Sequence, residues 1–404
     1  MIADLPSSSS VLLAQSLLQQ PSWVLHPAAA QLGGDFGETH WANALRASNE
    51  QLIPRSLTLA LQAPEGAPVD GVPGYPAALL ACLRIHAAHL ADDREVVAMV
   101  LQRGLAECLE PAALGQVIDA VPQSLRIVAR PQVEVRLDAG SRRHAAQLRA
   151  VGCTRLNVVD LPHADGPALL AQGLREGFTA CYYQLRVPDM ADTGFLARLD
   201  QVLTLAPDRI VLPAPSTLPA RPDVSAWLGA WRAVRGAGYV PIGGDHYQRG
   251  DRLPPLTIAG ESRHCDLARV PRRDRSDFLG IGSGGYSQIG DVYCRLEPDF
   301  IRWQARLAGG HAGVTCGRVQ SETEALASGL MQQIACNHTL DVAEFEWRNA
   351  MSFADRFSAA LDRLAPIIAR GWARWDQDVL RLAPEGALLW RMMAACFRST
   401  RDGS

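Results

Sequence analysis

The sequence predicts an α/β fold: a partial (β/α)6 TIM-like barrel with an N-terminal extension and a small helical C-terminal domain. Three observations predict it. Between about residues 55 and 245, strand-like and helix-like stretches alternate in six consecutive units. The strand-like stretches are apolar runs rather than strict alternations, as expected of a parallel sheet covered by helices. After Leu253 the alternation stops, and from about residue 320 the patterns are helical. A doubly wound open sheet is the rival arrangement. In either one, ligands sit at the carboxyl ends of the strands.

The units read in order as follows. SLTLALQ (56–62) is a strand and PAALLACLRIHAAHL (76–90) a helix. EVVAMVL (95–101) is a strand, and PAALGQVIDAV (111–121) a helix with proline at its favoured first position. VEVRLD (133–138) is a strand and RRHAAQLRAVG (142–152) a helix stopped by glycine. TRLNVVDL (154–161), TACYYQLRV (179–187) and RIVLPAP (209–215) are strands. GPALLAQGLREG (166–177), GFLARLDQVLTLA (194–206) and VSAWLGAWRAVRGAG (224–238) are the helices that follow them. Residues 254–310 are expected to be a loop-rich, glycine-rich connection. The helices ETEALASGLMQQIAC, FADRFSAALDRLAPIIARGW and EGALLWRMMAACF then build a C-terminal domain over 311–404. The divisions are therefore 1–50, 51–253, 254–310 and 311–404.

Composition narrows the function classes. The chain has 404 residues, 48% of them apolar, which suits two domains or one domain with an appendage. Its formal net charge of −3 points to neither a nucleic-acid nor a membrane-surface partner. All 39 basic residues are arginine, so Schiff-base lysine chemistry and a P-loop lysine are excluded. The N-terminal MIADLPSSSSVLLAQSLLQQ has no positive n-region and only a short apolar run, which reads as neither signal peptide nor membrane span. A cytoplasmic location is expected. The nine cysteines are scattered, the nearest pair in sequence being Cys316 and Cys336. They read as buried thiols in a reducing compartment, with no metal knot.

Four stretches carry a resemblance. They are FGETHWANAL (36–45), GGDHY (243–247), GIGSGGYSQIGDVY (280–293) and CNHTLD (336–341). In this order and spacing the chain resembles the oxygen-independent coproporphyrinogen III oxidase family, radical-SAM enzymes of haem synthesis. The resemblance implies a radical-SAM-like barrel, a [4Fe–4S] cluster that binds SAM, coproporphyrinogen dehydrogenase activity and a porphyrin ligand.

The departures fall on the chemistry. The family's first strand leads into CxxxCxxC, whose thiolates hold three irons and leave the fourth open. Here the strand runs into LQAPEGAPVDGVPG (61–74), with Gly66, Asp70 and Pro73 on or near the cysteine positions and no cysteine before Cys82. The family's glycine-rich turn after strand two reads LQRGLAE (101–107), where Gln102 and Arg103 occupy positions at which glycine gives clearance. The family's glutamate position on the third strand falls near Arg136, across a short gap. The expected cofactor set is therefore none: cluster and SAM are read as lost, and haem or another porphyrin is the candidate ligand.

The candidate ligand-binding residues are Asp245, His246 and Tyr247, with Gly282 and Ser287 from the glycine-rich stretch. Arg103, Asp160 and Arg186 join them at strand ends, where Gln102 and Gln184 also face the mouth. No catalytic residue and no metal ligand is assigned. His246 could ligate haem iron or bind a propionate; alternatively, Asp245 and His246 tie down the following loop. The strand-end arginines could receive an anion or form a salt-bridged plug. The arginines of RVPRRDRSD (269–277) could pair with carboxylates or stand in a solvated loop. His86, His89 and His338 read as packing or surface residues.

Three functions follow. The first is a non-catalytic tetrapyrrole-binding protein or partner of an active paralogue or haem-pathway protein. The second is a haem-pathway enzyme that uses acid–base groups, and the third a structural or regulatory protein without ligand.

Overall fold

The computed structural model describes residues 7–22, 25–66, 72–217, 222–252, 263–267, 270–272 and 275–398. Two helices, α1 (Ser7–Gln19) and α2 (Glu38–Ser48), form the N-terminal extension. The units follow: β1 (Leu57–Leu61), α3 (Tyr75–Ala87), β2 (Glu95–Leu101), short α4 (Leu105–Cys108) and α5 (Pro111–Ser124). Next come β3 (Arg126–Asp138), α6 (Ala145–Ala150), β4 (Arg155–Val159), α7 (Gly166–Arg175), β5 (Ala180–Gln184) and α8 (Phe195–Leu205). The sixth unit is β6 (Arg209–Val211) with α9 (Val224–Gly236).

β1 to β6 are parallel and lie side by side in chain order. That order removes the doubly wound alternative, whose strand order must reverse. Right-handed crossovers in an unreversed order put every helix on one face. Helix caps mark the units locally: Asp165 accepts from Ala168 N–H at the start of α7, and Asp223 from Ala226 N–H at the start of α9.

The chain then departs from its sequence reading. The run through residue 249 is an antiparallel hairpin, β7 (Tyr239–Gly243) and β8 (His246–Arg249), with β8 inserted beside β6 and β7 outermost. GGDHY is therefore the turn of a hairpin at the sheet's edge. β9 (His264–Cys265) pairs with β10 (Pro271–Arg272). The connection expected over 254–310 is also more regular than its glycines suggest. β11 (Asp277–Ile281) pairs parallel with β1, and β12 (Tyr286–Ile289) and β13 (Val292–Leu296) continue as an antiparallel meander. After α10 (Phe300–Ala308), β14 (Val314–Val319) completes a twelve-stranded sheet.

The C-terminal region packs α11 (Glu322–Asn337), α12 (Val342–Asn349), α13 (Phe353–Ala369) and α14 (Trp390–Ala395). It also holds a small sheet missed in the sequence, from β15 (Thr339–Asp341), β16 (Ala373–Asp376) and β17 (Val379–Leu382). The outward strand residues, such as Leu59, Met99, Val135, Leu156, Cys181 and Ile210, join the helices in one core. No helix among the described residues is long and apolar enough to cross a membrane.

Candidate functional site

With every helix on the outer face, the inner face of the sheet must find other cover. Over β1 and β11 it is apolar: Ala60 and Phe278 pack with Val270. Over β3 to β8 it is polar. Strand register aligns Arg136, Asn157, Tyr182, Arg209 and Gln248 in one transverse row. The next row, toward the mouth, holds Asp138, Val159, Gln184, Val211 and His246.

These side chains hold one another. Arg136 Nε donates to Glu134 at 3.0 Å, and its Nη1 to Gln102 at 3.2 Å. Asn157 Nδ2 donates to the same Glu134 oxygen at 3.2 Å. The Arg209 guanidinium stacks on Tyr182 at 4.6 Å and reaches Gln248 at 3.4 Å. The buried atoms of this wall without a hydrogen-bond partner include Asn157 Oδ1 and His246 Nδ1. Burial, reinforced by Arg209, drives the His246 imidazole down to a pKa of about 3, so it is neutral at physiological pH.

The three residues of the hairpin turn go three ways. Asp245 receives both terminal nitrogens of Arg391 from α14, Nη1 at 2.8 Å and Nη2 at 2.5 Å. Arg391 is 1% exposed and stacks on Trp390. Gly244 N–H donates to Ala335 O in α11 at 2.8 Å, and Asp245 O accepts from Leu212 N–H at 2.9 Å. Gly243 has φ 121, and a Cβ there would stand 2.8 Å from Cys336 Cα. The turn thus docks the barrel edge on the C-terminal helices. His246 faces the inner wall, and Tyr247 turns outward into the core beside α9.

Gly282 and Ser287 lie where the meander meets the loop after β1. At φ 123, Gly282 leaves no room for a side chain: a Cβ would stand 2.7 Å from both Gln62 O and Tyr75 Oη. Tyr75 Oη donates to Gln62 O at 2.7 Å and accepts from Ser283 N–H at 3.2 Å. Ser287 is buried and accepts from Gly280 N–H at 2.9 Å. Both residues brace the loop from behind.

The strand-end residues fall into two groups. Arg103 Nε bonds Asp138 at 2.6 Å, half exposed. Asp160 accepts from Tyr183 Oη at 2.9 Å and lies 3.7 Å from Arg198. Arg198 also bonds Asp192, which pairs with Arg186. Asp160 and Arg186 therefore share a network through Asp192 and Arg198, whereas Arg103 belongs to another pair. Burial raises the pKa of Asp160, and the Arg198 hydrogen bond lowers that of Asp192.

The residues present around the β1 loop do not match the donor set of a [4Fe–4S] cluster. Among the described residues, no three His, Cys, Asp or Glu side chains are grouped to hold a metal. Asp70 lies outside the described residues. Cys82 is buried on α3 with its thiol 3.5 Å from His86 Nδ1. At the tip of β2, Gln102 is bonded to Arg136, and at β3 Glu134 stands on the inner face two residues before it.

Sequence reading missed Glu134, Asn157, Arg209 and Tyr182, and it missed Arg391 as the partner of Asp245. The inner row left one signal: VEVRLD places Glu134, Arg136 and Asp138 two residues apart, on one face of a strand. For Arg391, which lies 146 positions from Asp245, sequence holds no signal.

Strands in chain order, helices on one side and a polar inner wall define the class: a partial α/β barrel. No family model matches the chain. It is 24% identical over 254 residues to "Oxygen-independent coproporphyrinogen III oxidase" of Escherichia coli K12, spanning 57% of this chain and 54% of that protein. It is likewise 24% identical over 227 residues to the protein of that name from Helicobacter pylori 26695, covering 52% of this chain and 50% of that one. The chain spans about half the length of the curated relatives it matches. A solved structure described as "Coproporphyrinogen III oxidase (HemN) from Escherichia coli is a Radical SAM enzyme" shares the fold. Its TM-score is 0.78 at 22% identity, over 94% of this chain and 99% of that one. The chain is thus similar, at a distance, to the oxygen-independent coproporphyrinogen III oxidases in sequence and to HemN in fold.

Proposed function

We propose that the chain is a coproporphyrinogen-oxidase-like protein without the cluster and SAM chemistry, and that it holds a tetrapyrrole against the inner wall of its barrel. The observation that carries this is the β1 loop: on this fold, the first cysteine is Cys82, turned into the helical core. A cluster with one open iron needs three thiolates from one loop. The ligand half of the reading is supported by His246, buried on the inner wall with Nδ1 unpaired. Arg209 and Arg136 beside it supply charge suited to propionates.

A neutral imidazole with so low a pKa is a weak base at pH 7, and Asp245 is committed to Arg391. Both facts count against acid–base catalysis by this pair. Asp245 favours a second role, in which the turn fastens the barrel to the C-terminal region.

The test is anaerobic purification followed by spectrophotometric titration with haem and with coproporphyrin. A saturable one-to-one spectral change, reduced tenfold or more in His246→Leu, is expected. No spectral change with either tetrapyrrole would leave only the fastening role. Reconstitution with iron and sulfide to about four irons per chain, in a form that cleaves SAM, would overturn the loss of the cluster. Turnover of coproporphyrinogen would overturn the non-catalytic reading.

A further inference from the structure

A cavity of about 120 Å³ lies at the opposite end of the barrel from the mouth. Its wall includes Arg55, just before β1, and Arg275 with Ser276, just before β11. His264 of β9, Gln288 of β12 and Ser328 of α11 also line it. Five separate parts of the chain therefore converge here with hydrogen-bond donors.

Among the described residues the two guanidiniums have only weak partners. Asp277, the carboxylate near Arg55, already accepts from Arg94 at 2.8 Å and from Gly290 N–H at 3.0 Å. Arg55 stands 3.6 Å from it, beyond hydrogen-bond length, and is about a third exposed. Arg275 Nε donates to His264 Nε2 at 2.6 Å, a neutral acceptor. That bond fixes the tautomer: with Nε2 accepting, His264 Nδ1 carries the proton and is a donor. Burial and the charges of Arg275 and Arg55 push the His264 pKa down to about 3, so the ring stays neutral. Two carboxylates also line the cavity: Asp266, which accepts from Val270 N–H at 3.0 Å, and Asp291.

We propose that this cavity is a binding site for a tetrahedral oxyanion of the phosphate class, gripped by the Arg55 and Arg275 forks with the His264 Nδ1–H and Ser276 hydroxyl. Forked guanidiniums suit phosphate oxygens in pairs. The cavity's size excludes a macrocycle, because sites for larger ligands run to roughly 300 Å³ or more. The site is independent of the inner-wall reading and stands or falls separately.

The test is calorimetric titration of the full chain at low ionic strength with inorganic phosphate, methyl phosphate and acetate. Phosphate is expected to bind one-to-one, with acetate at least tenfold weaker. Methyl phosphate binding as well as phosphate assigns the site to phosphomonoesters, and binding only of phosphate to the free ion. Arg275→Gln and Arg55→Gln should each weaken phosphate at least tenfold, with Arg275→Lys intermediate and Arg84→Gln, on α3, without effect. Circular dichroism melts establish that each variant is folded. Absence of saturable phosphate binding, or folded Arg275→Gln and Arg55→Gln variants that bind like the parent, would overturn the proposal.

Discussion

Replacing Arg391 by methionine tests the dock between barrel and C-terminal region. The perturbation removes a guanidinium that is 1% exposed and makes two hydrogen bonds to Asp245 at 2.8 and 2.5 Å. Two unit charges about 4 Å apart interact by about 4 kcal/mol at an effective dielectric near 20. Breaking a buried pair by removing one partner costs about 3–5 kcal/mol, because the other charge is left unpaired. The Asp245 side chain is 17% exposed and recovers some solvation, so the loss should sit near the lower end, about 3 kcal/mol. Methionine keeps the apolar stem packed, which separates charge from volume. The Asp245→Asn/Arg391→Met double variant should recover at least ~1 kcal/mol relative to the sum of the single variants. Urea unfolding followed by tryptophan fluorescence reads the loss, aided by Trp390, whose ring lies 4.3 Å from the guanidinium. Limited proteolysis shows whether the C-terminal region detaches first. A loss under about 1 kcal/mol in Arg391→Met, or strict additivity in the double variant, would refute the claim that this pair fastens the turn.

The neighbouring residue should behave oppositely. His246→Leu removes an unpaired buried nitrogen, so the ligand-free protein should keep its stability or gain up to ~1 kcal/mol in the same urea assay, since such a group costs about 1–3 kcal/mol. A clear loss would mean that His246 is a satisfied structural residue. Stability should also fall as pH drops below about 6.5. His246 and His264 have pKa values pushed down to about 3, and His338 to about 4, so the unfolded chain takes up protons that the folded chain does not. The expected slope is up to ~1.4 kcal/mol per pH unit per histidine, and His246→Leu should reduce it; urea midpoints at pH 7.5, 6 and 5 measure this. Gly282→Ala should cost at least ~2 kcal/mol, because it adds backbone strain at φ 123 to two contacts of 2.7 Å; a thermal midpoint equal to the parent's would contradict that packing.

The barrel was legible because each crossover repeats the same local pattern, and β1 to β6 fall where the apolar runs do. What the sequence obscured is register and distance. β3 begins at Arg126, ahead of its expected start at 133, because Arg130, Pro131 and Gln132 break its apolar pattern in two. The hairpin of β7 and β8 went unread because nothing local says that the chain reverses at Gly243 and Gly244 and returns beside β6. The meander over 277–296 was hidden by glycines, although Gly280 is a strand residue: a Cβ there would stand 2.6 Å from Tyr286 O. Asp245 and His246, adjacent in sequence, point to opposite tasks because alternate residues of an extended chain face opposite ways. The pairing of Asp245 with Arg391 joins segments far apart in the chain, and only the folded molecule reveals it.

An open sheet of twelve strands has two ends, and every unpaired strand end is a template on which another molecule could polymerise. The chain closes them by unlike means. At β14 the N-terminal segment lies alongside: Gly33 and Gly317 exchange backbone hydrogen bonds at 2.9 and 3.0 Å. At β7 the outermost strand carries Pro241, which removes one donor from the exposed ladder, while α11 packs over the turn. The N-terminal segment is thereby a guard against aggregation as well as a part of the fold. Deleting the residues before β1 should turn a dispersed protein into one that precipitates with concentration, well below the temperature at which its barrel melts.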